Sequence, residues 1–416
     1  MARDAPPPVR VAVIGGGIIG LSSAYDLARA GHAVTLIERN TCGRGASWGN
    51  AGWIVPSLIA PFNAPGAVPQ ALRAMLNPQS PIALRQLPTP SLARWGLRFL
   101  RQCSPDRSRA ALRILAGMSA DASADILALA DELGFEVHRA GLLIPFRSPA
   151  ALAEYRAAHA VVESAGYRGR MEVLDARSAA EREPALAPDV VGAAYLPDEI
   201  SVRPDALTTA LADGLAALGG ELVENETVVE LGYSGRGWQV RTPHRSVDCD
   251  VAVIAAGEQT TALARSCGVR LPLQSARGCS ITLPPVLELR GPVKIAEDRV
   301  ACTPFANGEV RISGTFDLVR PGAGTSRARM AAVLAAASAT LPALRDLDIS
   351  ALGVWSGART CTPDSVPVVG PVGRRPGLIV ASGHGTLGMT LSAATARTVT
   401  ALVNAASIRH SPRGIP

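Results

Sequence analysis

Hydrophobic and polar positions change period in a fixed order near the start of the chain. Residues 11–14 form a short β-branched run, suited to a strand buried on both faces of a parallel sheet. Ile18, Leu21, Ala24, Leu27 and Ala28 then recur at helical spacing up to Gly31, and residues 33–37 return to an apolar strand. Similar signals predict helices over 91–101, 109–133, 150–164, 204–218 and 327–341, and a hairpin over 135–146. Strand-like runs fall at 219–231, 237–243, 246–257, 274–284, 299–305 and 309–316. Two further units follow, a strand, turn and strand over 353–371 and a strand, glycine loop and helix over 377–403. This order predicts an α/β chain in which a Rossmann-like domain is interleaved with an α+β domain on an antiparallel or mixed sheet. The first is expected from 9–80, 192–270 and 350–410, the second from 81–191 and 271–349, with 1–8 as a mobile tail.

The glycines between the first strand and helix carry the first chemistry. Gly15, Gly17 and Gly20 fit GxGxxG, whose members give a tight turn, room for a pyrophosphate against the backbone, and close packing of helix on strand. The helix beginning at Ile18 and Ile19 turns unpaired amides and its positive dipole end toward that anion. Glu38, 18 residues after Gly20 and followed by Arg39, stands where a carboxylate accepts hydrogen bonds from ribose hydroxyls and repels a 2′-phosphate. These residues predict a dinucleotide and leave open which one.

Other stretches extend the same site. The segment TCGRGASWGNAGWIVP is dense in small and short polar residues, so its backbone can lie close to a flat or charged group. Ser47 and Asn50 are candidate donors to phosphate or ring heteroatoms, with Gly45, Ala51 and Gly52 leaving space. The apolar run ending in Ala256 and Gly257 is placed to reach the same ligand, and Val228, read as part of a strand, to offer main-chain groups to an adenine edge. Prolines 56, 61, 65, 69, 78, 81, 88 and 90 predict a long irregular connection with short helices.

Composition narrows the class. At 416 residues and 48% hydrophobic content the chain can bury a large core. Its net charge of +6 comes from arginines scattered along the chain, Lys294 being the only lysine, which argues against a nucleic-acid surface. Seven dispersed cysteines show no CxxC and no metal-ligand spacing, so reduced thiols, no metal and a cytoplasmic setting are expected. No run reaches the ~20 apolar residues of a membrane span. The Pro-rich, apolar stretch 54–97 leaves peripheral contact with the inner face of a membrane open, although a buried loop and helix system fits it better.

Four separated stretches then resemble one family: VIGGGIIG with Glu38, SWGNAG with the following IAPFNAPG, WSGARTCTPDSVPVVG, and SGHGTLGMTLS. Together they resemble the D-amino-acid oxidase-like family of FAD-dependent oxidoreductases, and within it the bacterial D-amino-acid dehydrogenase branch, over residues 9–405. The resemblance implies FAD held at its ADP portion by Gly15, Gly17, Ile18, Ile19, Gly20, Glu38 and Arg39. It places Gly45, Ser47, Asn50, Ala51 and Gly52 beside the pyrophosphate and isoalloxazine, with main-chain contacts from Val228, Ala256 and Gly257. It also implies that the last helix starts with Gly385, Thr386, Leu387, Gly388, Met389 and Thr390 against the flavin pyrimidine ring, where a helix N-terminus stabilises developing negative charge.

Arg359 is implied to bind the substrate carboxylate through two parallel hydrogen bonds. His384 stands evenly between substrate contact and packing. Trp53 replaces the glutamine expected after NAG, and Cys279 stands where an aromatic is common, so the substrate pocket departs from the family pattern. The implied reaction is oxidative deamination of a D-amino acid or related amino acid, by hydride transfer from Cα to flavin N5, giving an imine and then a 2-oxo acid. Oxidation of a secondary amine such as sarcosine, a glycine derivative or a D-hydroxyproline-like ring is the nearest alternative. A flavin hydroxylase, for which SGHGTLG stands in place of the usual late Gly-Asp motif, and a flavoprotein without catalysis fit less well. No histidine–cysteine pattern suggests covalent flavin. The electron acceptor is left as oxygen, a quinone or a carrier protein.

Overall fold

A computed structural model describes residues 8–64, 66, 68–69, 82–84, 89–318, 327–345 and 347–410. The tail expected at 1–8 therefore lies outside the described residues apart from Pro8, as do the expected connections around Pro65, Pro78, Pro81 and Pro88.

The β-branched opening run becomes the strand Arg10–Ile14, buried from Val11 onward, near the middle of a six-stranded sheet. Sheet order is Glu221–Val223, Ala33–Ile37, Arg10–Ile14, Val251–Ile254, Leu378–Ser382 and Val368–Pro371. All neighbours are parallel except the last pair. Strands from distant segments thus converge on one array, and the C-terminal ends of its five parallel strands face the same way, where α/β sheets bind ligands. The helix Ile18–Arg29 covers this sheet with fully buried Leu21 and Leu27, each worth roughly 1.5–3 kcal/mol of burial. It packs against the final helix Gly388–His410 and against Pro204–Ala217.

The second, larger sheet runs Val354–Cys361, Gln274–Leu283, Val310–Leu318, Val300–Pro304, Val293–Ile295, Leu142–Phe146, Gly192–Leu196 and Glu172–Asp175, with Ile82–Leu84 also paired to Val310–Leu318. Side chains alternate between its faces. Cys279, Ile281, Val293, Cys302 and Ile312 pack on one face beneath Met330, Val333 and Leu334 of the helix Arg327–Ala337. The cross-strand register sets Trp355, Ser280 and Ser313 in one row on the other face, with Thr303 beside Arg311 and with Gly357 and Arg359 further along. That polar face addresses the nucleotide fold, since Thr303 and Arg311 donate to carbonyls of the 48–51 loop.

Several expectations are corrected. Gly192–Leu196 and Val354–Cys361 belong to the larger sheet, so the boundaries expected at 192 and 350 fall too early; both strands have their strand ladders there, although the end of the second also bridges to His384 beyond the smaller sheet. The helix expected over 109–133 is two, Pro105–Ser119 and Ala122–Leu133. Ser119 Oγ bonds back to the Ala116 carbonyl, and Asp121 (φ −109°, ψ 12°) leaves helical geometry. The second of these helices packs into the nucleotide-side core through Ala122 and Ile126, although 81–191 was assigned to the other domain.

The hairpin expected over 135–146 is also absent. Val137–His138 pairs with Ile200–Val202, whereas Leu142–Phe146 pairs with Gly192–Leu196 in the larger sheet. Gly141, at φ +70°, turns the chain from a small three-stranded sheet of Trp53–Ile54, Ile200–Val202 and Val137–His138 into the larger one. Val228 precedes the strand Glu230–Tyr233 rather than lying in one, and packs against the cluster containing Ile14 and Val223.

Candidate active site

The nucleotide end is built by backbone contact. Gly15 (φ +110°) donates its N–H to the Ile37 carbonyl, and a Cβ at Gly20 would lie 1.8 Å from the Gly15 carbonyl oxygen, so strand and helix meet without side chains between them. Gly17 precedes the helix in extended conformation and has no side chain to cap it, and the first turn carries no acid. Ile19 follows half-buried in that turn. Such an end favours an anion. Ser47 was expected as a donor to phosphate; its Oγ accepts the Ile18 N–H at 2.9 Å, which leaves its hydroxyl proton free to donate in turn.

Glu38 Oε2 accepts from the Gly16 N–H at 2.7 Å and Oε1 from the Asn40 N–H at 3.0 Å, fixing the carboxylate at the end of the second strand. Arg39, the next residue, and Gly45 are exposed. Ala256 and Gly257 follow the strand Val251–Ile254, and the Ala255 carbonyl oxygen would lie 2.6 Å from a Cβ on Gly15. An acid-free helix N-terminus, a glycine cradle and an oriented carboxylate together fit the ADP part of FAD.

The 47–52 loop is held from both sides. Asn50 was expected as a donor to the cofactor, but its amide nitrogen donates to the Ser47 carbonyl and its oxygen accepts the Gly52 N–H at 2.6 Å. Its role is to shape the loop. The buried Arg311 donates through Nη1 to the carbonyls of Trp48 (2.8 Å) and Asn50 (3.2 Å), while Thr303 Oγ1 donates to the Ala51 carbonyl at 2.9 Å. Sequence reasoning missed Arg311 and Thr303; for Arg311 the alternation of polar and apolar positions through residues 310–313 was the available signal. Trp53 pairs with Ser201, and its ring packs into the cluster of Val55, Leu142 and Ile144 with Nε1 buried and unpartnered among the described residues.

Arg359 rises from the polar face of the larger sheet. Its guanidinium makes no ion pair among the described residues, and Nη1 donates to the Thr315 carbonyl at 2.6 Å. Burial pulls its pKa below the usual arginine value, partly offset by Cys361, Cys279 and Asp317. Asp317 is itself engaged by Arg329 through two hydrogen bonds, 2.6 and 3.2 Å, in a buried pair that sequence reasoning did not single out. Phe316, beside Thr315, packs its ring 5.0 Å from Phe62. The Phe62 N–H donates to Ser365 Oγ at 2.9 Å, pinning the 59–64 segment over the Pro363–Asp364 turn.

The final helix begins at Gly388, with Gly385 at φ +57° in the loop before it and Thr386 leading to buried Leu387 and Met389. Thr390 Oγ1 accepts the Val55 N–H at 3.1 Å and lies 3.4 Å from the Trp53 carbonyl, tying this helix to the segment after NAG. His384 Nε2 lies 2.9 Å from Thr395 Oγ1 on the final helix, and the residue is buried. Among the described residues this is the ring's one hydrogen-bond partner, and it ties the loop to the helix.

Burial holds the His384 pKa down to about 3, against an ordinary 6.5. The unfolded chain binds a proton below pH 6.5 that the folded chain refuses until about 3, so stability is full above that window and falls with pH inside it. His384→Gln should therefore reduce the loss of stability between pH 7 and pH 5 by up to about 2 kcal/mol. Urea midpoints at the two pH values measure this; equal losses in both proteins would remove His384 from that account.

Comparison with known proteins follows this geometry. The family described as "FAD dependent oxidoreductase" matches residues 10–402. The chain is 34% identical to D-amino acid dehydrogenase 2 of Ralstonia nicotianae, over 93% of this chain and 95% of that protein. It is 35% identical to D-amino acid dehydrogenase 2 of Pseudomonas aeruginosa, over 93% of each. Among solved structures, glycine oxidase from Geobacillus kaustophilus superposes with a TM-score of 0.73 at 24% identity, covering 98% of this chain and 97% of that one. L-proline dehydrogenase from P. horikoshii gives 0.70 at 17%, covering 96% and 94%. At these identities the structural likenesses speak for the fold.

Proposed function

The chain belongs to the FAD-dependent oxidoreductase family, and from that premise we propose that it oxidises the Cα–N bond of a D-amino acid, with Arg359 as the carboxylate anchor. The observation that carries the reading is the half-buried Arg359 guanidinium, without a carboxylate partner among the described residues, on the sheet face that addresses the nucleotide fold. Bound FAD supplies the hydride acceptor, and water hydrolyses the resulting imine to a 2-oxo acid and ammonia.

The chain's own residues bind and orient. Gly15, Gly17, Gly20 and Glu38 would hold the ADP end of the cofactor, the loop braced by Arg311 and Thr303 its middle, and the amides beginning the final helix the ring end. Arg359 offers two donors to a carboxylate and so fixes where the α-carbon lies. Phe62 and Phe316, with ring centroids 5.0 Å apart, give that region an apolar side. No acid or base side chain is assigned to the proton, because His384 is held neutral and bonded to Thr395. The kcat/KM profile should accordingly rise with pH through deprotonation of the substrate amine, and His384→Gln should leave that midpoint in place.

The test is anaerobic bleaching of the flavin absorbance by a panel of D-amino acids, their L-enantiomers, and sarcosine, glycine and proline derivatives. Reduction by D-amino acids ahead of the rest is expected. Preference for the secondary amines would transfer the assignment to amine oxidation of that kind, and reduction by dithionite alone would reject catalysis. Turnover with oxygen, a soluble quinone and an artificial carrier then identifies the acceptor class. Among the described residues no helix is long and apolar enough to cross a membrane, so co-sedimentation with vesicles tests for surface contact.

A further inference from the structure

Arg359 is held in a way that its own strand does not explain. The ladder between Gln274–Leu283 and Val310–Leu318 runs in register from Leu283↔Val310 to Cys279↔Gly314, then shifts, resuming at Arg277↔Asp317. Thr315 and Phe316 therefore bulge opposite Gly278. Thr315 stands at φ +63°, a left-handed conformation that a β-branched residue adopts only at a cost. The bulge is what aims its carbonyl at Arg359 Nη1, 2.6 Å away. Thr315 Oγ1 also lies 3.5 Å from Cys279 Sγ, fastening the bulge to the neighbouring strand.

Gly278 completes the arrangement. A Cβ built there would lie 2.4 Å from Cζ and Nη2 of Arg359 and 2.5 Å from Nη1, so the guanidinium lies flat on the bare backbone of this residue. The same position has an ordinary backbone conformation, φ outside the left-handed range, so no local conformational rule demands glycine there. Alanine at a strand position of this kind normally costs nothing and reduces the entropy of the unfolded chain.

We propose that Gly278 and the bulged Thr315 form a seat that positions the Arg359 guanidinium for carboxylate recognition. Gly278 supplies the floor, and the Thr315 carbonyl takes one N–H of the guanidinium, leaving its remaining edge for substrate. Both are positioning residues acting through Arg359, and the inference rests on the reading of Arg359 as carboxylate anchor. Backbone strain kept at Thr315 is then part of how the site is built.

The experiment compares kcat/KM for D-alanine and for D-alaninamide, which lacks the carboxylate, in the FAD-loaded full chain. Gly278→Ala should lower the D-alanine to D-alaninamide ratio at least tenfold, chiefly through KM for D-alanine, with flavin content and Tm unchanged. Thr315→Gly and Thr315→Asn tolerate the left-handed conformation and should keep the ratio, whereas Thr315→Val should lower it as Gly278→Ala does. Those Thr315 variants carry the test if Gly278→Ala does not fold. Arg359→Ala is the reference. If it loses the carboxylate preference while Gly278→Ala and Thr315→Val keep it, the seat is wrong and the anchor stands. If Arg359→Ala keeps the preference, the anchor itself is wrong, and the seat falls with it.

Discussion

Arg359→Ala should lower kcat/KM for D-amino acids by roughly thirtyfold to several thousandfold, the equivalent of about 2–5 kcal/mol for losing one partner of a buried, charge-assisted contact. Most of the change should appear in KM, because the guanidinium orients the ground state as well as the transition state. Arg359→Lys keeps a charge but loses the planar two-donor edge and the fit on Gly278, so it should recover only part of the loss. Flavin absorbance should persist in both variants, since Arg359 stands on the larger sheet and the glycine cradle on the other. Wild-type kinetics in Arg359→Ala would end the assignment.

The opening strand, helix and strand were legible because their code is local. Gly15, Gly17, Gly20 and Glu38 lie within 24 residues, and the hydrophobic period names each element between them. What resisted reading was pairing at long range. Whether Val354–Cys361 joins the nucleotide sheet or the larger one depends on which edge is available to it, and nothing in its own sequence states that. Val137–His138 and Leu142–Phe146 looked like a hairpin because they are close in the chain, yet each finds its partner elsewhere.

The site divides along the same line. Arg359 is proposed from the motif around it, whereas its neighbours Gly278 and Thr315 meet it through a bulge that only the register reveals. Arg311 and Thr303 were hidden for a related reason. Their function is to donate to main-chain carbonyls, and carbonyls leave no trace in a sequence. Asn50 and His384 show the converse case, in which polar residues placed by motif near a ligand spend their hydrogen bonds on the fold itself.

Gly20→Ala should abolish stable FAD binding. A methyl group at residue 20 would meet the Gly15 carbonyl oxygen at 1.8 Å, and neither the strand end nor the helix start is a flexible side chain that can yield. The helix must move away from the strand, costing about 1–3 kcal/mol in packing and displacing the amides proposed to face the pyrophosphate. Helix propensity alone argues the opposite sign, a gain of up to about 1 kcal/mol for alanine over glycine. Gly117→Ala separates the two effects, because Gly117 lies in the helix Pro105–Ser119 with open space where its Cβ would stand. That variant should be as stable as the parent or more so and yellow on purification, while Gly20→Ala should be colourless, with a Tm that added FAD no longer raises. A Gly20→Ala protein that retained flavin at full occupancy would show that the strand and helix need not touch for the cofactor to bind.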